Sequence, residues 1–121
     1  MIDEGASPIF LQIKEKIKDD IMAGVYMPDE LIISTTQIAK LYAVNPATAV
    51  KSVSLLQDEG IVYKKRGIGM CVMAGAREAI VQERTAAFYD TVLRGAIREA
   101  KKLNIGKDAL IQIIREAKDY D

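Results

Sequence analysis

Three cations in succession, Lys64, Lys65 and Arg66, stand directly before Gly67-Ile68-Gly69 and make the densest positive cluster in the chain. Ammonium and guanidinium groups beside flexible backbone suit an oxyanion such as a phosphate, and Gly67 and Gly69 let the main chain pass close to sugar and phosphate. A second set lies upstream. Asn45-Pro46 places a side-chain cap and a proline at the start of a helix, whose free N–H groups and positive dipole end then face any nearby anion. The first turn of that helix presents Ala47, Thr48 and Lys51 on one side. Thr and Lys bond phosphates or base edges, and Ala touches a thymine methyl. Other chemistries are removed by what the 121 residues lack. Without His there is no Ser/His/Asp or Cys/His pair and no His-bearing metal site, and one Cys makes neither a zinc cluster nor an internal disulfide. An enzyme is not expected, nor is a cofactor or a metal. Cys71, beside Val72 and Met73, reads as a small buried hydrophobe rather than a redox sensor. Tyr42 and Tyr63 read as packing residues rather than phosphate donors.

Elements to position these groups follow from caps and periodicity. Ser7-Pro8 reads as a cap with proline at the first helical position. Phe10, Ile13, Ile17 and Ile21 then recur at helical spacing with Lys14, Glu15, Lys18 and Asp19 on the other face, and Gly24 supplies the stop. A loop through Met27-Pro28-Asp29 leads to Ser34, the cap of a short helix through Ile38 and Leu41. Tyr42-Ala43-Val44 forms a tight turn into the helix that starts at Asn45-Pro46 and ends at Glu59-Gly60, with Ala49, Val53 and Leu56 facing the two preceding helices. Ile61 to Lys65 and Met70 to Met73 are short strands joined at Arg66-Gly67-Ile68-Gly69. Helix, short helix, turn, helix and basic hairpin make a winged helix-turn-helix, whose second paired helix enters the DNA major groove.

The balance of 17 basic and 17 acidic groups looks hostile to a nucleic-acid partner, but the charges are unevenly spread. Residues 1–39 hold three lysines against seven acids, residues 40–70 five basic groups against two acids, and residues 71–121 nine against eight. The basic part is the middle, where the hairpin and its helix lie, so the electrostatic footprint is local. Asp3 and Glu4 lack the basic start of a secretory signal and no apolar run is long enough to span a bilayer, so a cytoplasmic protein with no membrane partner is expected.

The stretch from Pro8 to Val72 resembles the DNA-binding domain of the GntR family of bacterial transcription regulators. The matching residues are Ser7-Pro8-Ile9-Phe10-Leu11-Gln12-Ile13, Gly24-Val25-Tyr26-Met27-Pro28, Ser34 with Ile38-Ala39, Val44-Asn45-Pro46-Ala47-Thr48, Glu59-Gly60-Ile61-Val62 and Arg66-Gly67-Ile68-Gly69. Val44-Asn45-Pro46 and the short tail resemble the YtrA subfamily, whose two-helix tail dimerises. The resemblance implies that Ser34, Asn45, Thr48, Lys51, Arg66, Gly67 and Gly69 meet DNA. Thr36 stands where the family usually has a DNA-contacting arginine, Ile32-Ile33 replace the usual Leu-Pro, Asp29 replaces a glycine, and Cys71 replaces a phenylalanine. Altered operator preference or weaker binding is the expected consequence.

Residues 1–74 are therefore expected to form a winged helix-turn-helix DNA-binding domain and residues 75–121 a two-helix tail, a mainly α fold with a small β-hairpin wing. From Ala76 to about Leu103 runs a helical pattern carrying Phe88, Tyr89, Val92, Leu93, Ala96, Ile97, Ala100 and Leu103, followed by a short helix with Leu110, Ile113, Ile114 and Ala117. Two such helices cannot enclose a core by themselves, so Phe88, Tyr89, Val92, Leu93, Ala96, Leu110, Ile113 and Ile114 are expected to join a second subunit in a homodimer. Any small-molecule effector is unidentified by sequence, though the tail is too short, and too poor in His, for the larger effector domains of the family. The function implied is a repressor that binds a pseudo-palindromic double-stranded operator and controls an operon with its own gene and an ABC transporter. The alternative is a winged-helix protein-interaction or dimerisation module that has lost DNA binding.

Overall fold

Ile13, Ile17 and Ile21 recur on one face of the first helix because their spacing matches the helical period, and all three are buried. In the computed structural model, which describes residues 7–118, that helix is α1 (Ile9–Met22). The sequence reading of Asp3 and Glu4 lies outside these residues. The start of α1 corrects one expectation: Pro8, not Ser7, is the capping residue, and no side chain caps it. Gln12 ties down the entering chain instead, its Nε2 donating to the Ser7 carbonyl at 2.8 Å, without satisfying the free N–H groups of the first turn. Lys18 is a second correction, since it belongs to the buried face and is only 1% exposed. Its Nζ reaches Glu59 Oε1 at 2.5 Å, so the buried ammonium is paired while its alkyl stem can be covered like a hydrophobe.

Two further helices complete the head. In α2 (Thr35–Tyr42), Ser34 caps by a reciprocal pair: Gln37 N–H donates to Ser34 Oγ at 3.1 Å, and Ser34 N–H donates to Gln37 Oε1 at 3.0 Å. Ala43 follows in the left-handed conformation at φ 52 and turns the chain sharply into α3 (Pro46–Asp58). Ala49, Ser52, Val53 and Leu56 of α3 are buried against α1 and α2, and each large aliphatic group so covered contributes about 1.5–3 kcal/mol. The helix ends at Glu59-Gly60, as read from sequence, with Ile61 N–H donating to Leu56 O at 2.9 Å.

The wing is an antiparallel hairpin of β1 (Val62–Lys65) and β2 (Gly69–Val72), in register from Val62 opposite Val72 to Lys65 opposite Gly69. Gly69 thus belongs to a strand, and the tip is the three residues Arg66, Gly67 and Ile68. The segment read as a plain loop after Pro28 adds to this sheet. Asp29 N–H donates to Val72 O, Val72 N–H to Glu30 O and Ile32 N–H to Met70 O, all within 2.8–3.0 Å, and Leu31 bridges Cys71. The β-branched pair Ile32-Ile33 was the available signal for this extra pairing.

The chain forms two compact units, divided between Gln82 and Glu83. The next helix, α4 (Ala76–Ala87), places Ala76 and Ile80 in the core of the first unit and ties Arg77 Nε to the Met22 carbonyl at 3.0 Å. The second unit contains a π-helical turn (Phe88–Leu93), α5 (Arg94–Lys102) and α6 (Lys107–Glu116). The residues expected to be helical up to Leu103 are helical up to Lys102, but six of them adopt the wider π geometry. Ala117, read as part of the last helix, lies just beyond it.

Candidate nucleic-acid interface

Each helix of the helix-turn-helix pair begins on a short polar residue that leaves hydrogen-bonding capacity at its exposed end. Asn45 Oδ1 accepts from Thr48 N–H at 2.9 Å, and Pro46 follows at the first helical position. The amide of Asn45 retains its donors for an outside partner, and the Ser34 hydroxyl retains its proton. Beyond these caps, the first N–H groups of α2 and α3 have no carbonyl four residues back, which makes both ends attractive to anions.

On α3, Ala47 and Lys51 are exposed and Thr48 is half-buried. Val50, half exposed at 50%, lies on the same outward side and was missed in the sequence reading. Its signal was present: helical geometry with Ala49, Val53 and Leu56 inward puts residue 50 outward. An apolar side chain there suits a thymine methyl. Lys51 is held over the Phe10 ring, its Nζ 4.0 Å from the centroid. That contact is worth about 0.5–1 kcal/mol at an exposed site, little enough to be exchanged for a phosphate.

Thr36 and Pro46 line one shallow groove together with Thr35, Ala39, Lys40 and Val44. The groove therefore joins the start of α2 to the start of α3. Lys40 brings a cation to the groove where Thr36 brings none, and sequence reasoning gave it no role. A second cleft of about 220 Å³ brings Ser34 and Gly69 together, with Val53 and Ile68 among its other walls. Ser34, the inward face of α3 and the wing thus meet at one cleft.

In the wing, Lys64 and Arg66 are exposed. Ile68 N–H closes the tip by donating to Lys65 O at 2.9 Å, with Gly67 at φ 78, a conformation that a side chain would strain. Gly69 serves packing as well, because a Cβ at that position would stand 2.9 Å from Leu31 Cδ1. Lys65 is engaged differently from its neighbours: its Nζ lies 2.9 Å from Asp29 Oδ2, and the same carboxylate accepts from the Tyr63 hydroxyl. The hydrogen bond and the negative charge of Asp29 push the Lys65 pKa up. Cys71, within β2, is buried.

Behind the interface, Glu59 receives Lys14 Nζ at 2.6 Å and Lys18 Nζ at 2.5 Å, clamping the end of α3 to α1. Partial burial raises the Glu59 pKa, but the hydrogen bonds and charges of the two lysines outweigh it and hold the carboxyl below the ordinary glutamate range. Among the described residues no group of three or more Cys, Asp or Glu side chains is placed to hold a metal ion, and no helix is long and apolar enough to cross a membrane.

The eight residues read as a dimer surface all lie in the second unit. Phe88, Tyr89, Val92, Leu93, Ala96, Ile113 and Ile114 are exposed, the last two at 63%, and Leu110 is half-buried. Leu93, Ile97, Leu110, Ile111 and Ile114 line an apolar groove of about 240 Å³ between α5 and α6.

A family model described as bacterial regulatory proteins, gntR family, matches residues 10–72. The HTH-type transcriptional repressor YtrA of Bacillus subtilis is 25% identical over 111 residues, covering 92% of this chain and 85% of that protein. Among solved structures, a transcriptional regulator of the GntR family from Bacteroides thetaiotaomicron superposes with a TM-score of 0.77 at 32% identity, over 88% of this chain and 94% of that one. The DNA-binding domain of AraR in complex with operator ORR3 aligns with 60% of this chain and 87% of its own, at 28% identity and a TM-score of 0.53.

Proposed function

Because the chain belongs to the gntR family of bacterial regulatory proteins, and is therefore a DNA-binding transcriptional regulator rather than an enzyme, we propose that it is a cytoplasmic repressor that binds a pseudo-palindromic operator as a homodimer. The observation that carries this reading is the pair of side-chain-capped helix starts at Ser34 and Asn45, together with an exposed α3 face and an exposed Arg66 at the wing tip. Residues 1–74 would read DNA, through Ser34, Thr36, Asn45, Ala47, Thr48, Val50 and Lys51 at the groove and Lys64, Lys65, Arg66, Gly67 and Gly69 at the backbone. Residues 75–121 would join the subunits through the exposed side chains of the second unit. The resemblance to the YtrA subfamily supports control of an operon with its own gene and an ABC transporter.

Fluorescence anisotropy with a duplex from the region upstream of its own coding sequence tests the reading. Binding is expected to fall about a thousandfold or more between low and moderate salt, because several phosphate contacts release counterions. Undetectable or salt-independent binding overturns it. Thr36, uncharged at the start of α2, favours the second reading, a protein-interaction module; that reading expects a stable dimer that ignores duplex DNA and is retained by a protein partner.

A further inference from the structure

Among the described residues Asp29 is the acidic side chain that pairs with the wing, and it does so from a backbone conformation unusual for a residue with a Cβ, φ 69. Its N–H is committed to Val72 O at 2.8 Å, which fixes the residue against β2. From there its carboxylate engages two of the donors on β1, the Tyr63 hydroxyl and Lys65 Nζ, the latter at 2.9 Å. Lys65 is opposite Gly69 at the base of the tip, adjacent to Arg66. A left-handed residue retained where glycine fits without strain, its side chain tying up two donors at a binding edge, is a feature that stability alone does not call for.

We propose that Asp29 is an attenuating residue of the DNA interface: it competes with phosphate for Lys65 and Tyr63, so Lys65 engages the backbone only in part, Lys64 and Arg66 carry most of the wing's contact, and binding is held below what the three-cation cluster would give. This rests on the DNA-binding reading above. The pair is exposed, 41% for the Lys65 side chain and 62% for that of Asp29. Exchange of the carboxylate for a phosphate therefore needs no unfolding, and an exposed ion pair of this kind is weak enough to compete with. The balance between the two acceptors sets how many counterions the protein releases.

The test is a double-mutant cycle on the full chain, read by anisotropy with two labelled duplexes, one from upstream of its own coding sequence and one of random sequence, over a salt series. Asp29→Asn keeps the hydrogen-bonding shape and tolerates positive φ, and Asp29→Gly adopts that φ freely, so one of the two stays folded if the other does not. Either is expected to tighten binding several-fold on both duplexes and to steepen the logarithmic salt slope by about 0.9, one extra phosphate contact. Lys65→Gln is expected to change wild-type binding less than Lys64→Gln does, and to cancel most of the gain in the Asp29 background. An unchanged affinity and slope in both Asp29 variants overturns the proposal, as does a gain that survives Lys65→Gln, which would indicate simple repulsion by the acid. Failure of the wild type itself to bind either duplex overturns the DNA-binding reading instead.

Discussion

Asn45 holds two jobs that substitution can separate. Its Oδ1 closes the start of α3 on the Thr48 N–H, and its amide donors face outward. Asn45→Ala should cost about 1 kcal/mol of stability as a lost cap, seen as a lower denaturant midpoint. Asn45→Asp should keep the cap and the midpoint yet weaken DNA binding, because it sets a negative charge where phosphate is expected. Val50 and Arg66 separate in another way. Arg66→Ala should weaken every duplex alike, while Val50→Ala should leave stability nearly unchanged and alter the ranking among sequences that differ by a thymine; competition binding against a panel of single-base variants checks both. The caps at Ser34 and Asn45 were legible because few residue types can serve there. Neither the Lys51–Phe10 contact nor the Lys65–Asp29 pair was legible, since each joins residues far apart in sequence.

The pairing of α1 with α3 rests on a charged clamp as well as on its isoleucines. Two lysines hold Glu59 ionised, so its folded pKa lies below that of the unfolded chain. The stability so gained is present in full above the ordinary glutamate range and is lost as pH falls through the lower folded value. Urea midpoints of wild type and Glu59→Gln should therefore differ at neutral pH, with the variant weaker, and converge in acid. Removing only Glu59 should be worse than replacing the set by apolar residues, because the buried Lys18 would lose its shorter ion pair and keep Glu15 only at 3.7 Å. Sequence periodicity put Lys18 on the solvent face because a lysine is scored by its charge rather than its stem. The π turn at Phe88–Leu93 escaped for a related reason: its backbone carries one more residue per turn, while a hydrophobic stripe as wide as this one fits either period. The helices, their order and the hairpin were legible because caps, spacing and glycines agreed at each of them.

For the whole molecule, neutrality and exposed apolar surface point to one requirement. A net charge of zero leaves no general attraction to DNA, so affinity must come from local basic groups counted more than once. The proposed two-fold dimer would double them, and the exposed Ile113 and Ile114 would offer it an apolar seam. Changing both to Asp should yield monomers by sedimentation, with the thermal transition of the first unit preserved. It should also lower operator affinity at least tenfold, since each half-site then binds alone. Retention of the dimer would remove α6 from the seam.

Cys71 is the one thiol of the chain, and it is 1% exposed, between Tyr63 of β1 and Leu31 on the opposite side. A thiol reagent can reach it only when the sheet parts, so the rate of its modification is a clock for opening of the wing. Timed labelling read by mass spectrometry then needs no engineered probe and no second reactive group to subtract. Saturating operator DNA should slow that clock in proportion to ligand concentration over Kd, if the wing is held closed on the backbone. The same sulfur that contributes only bulk to the fold thus reports, through the labelled fraction in the mass spectrum, whether the wing is engaged.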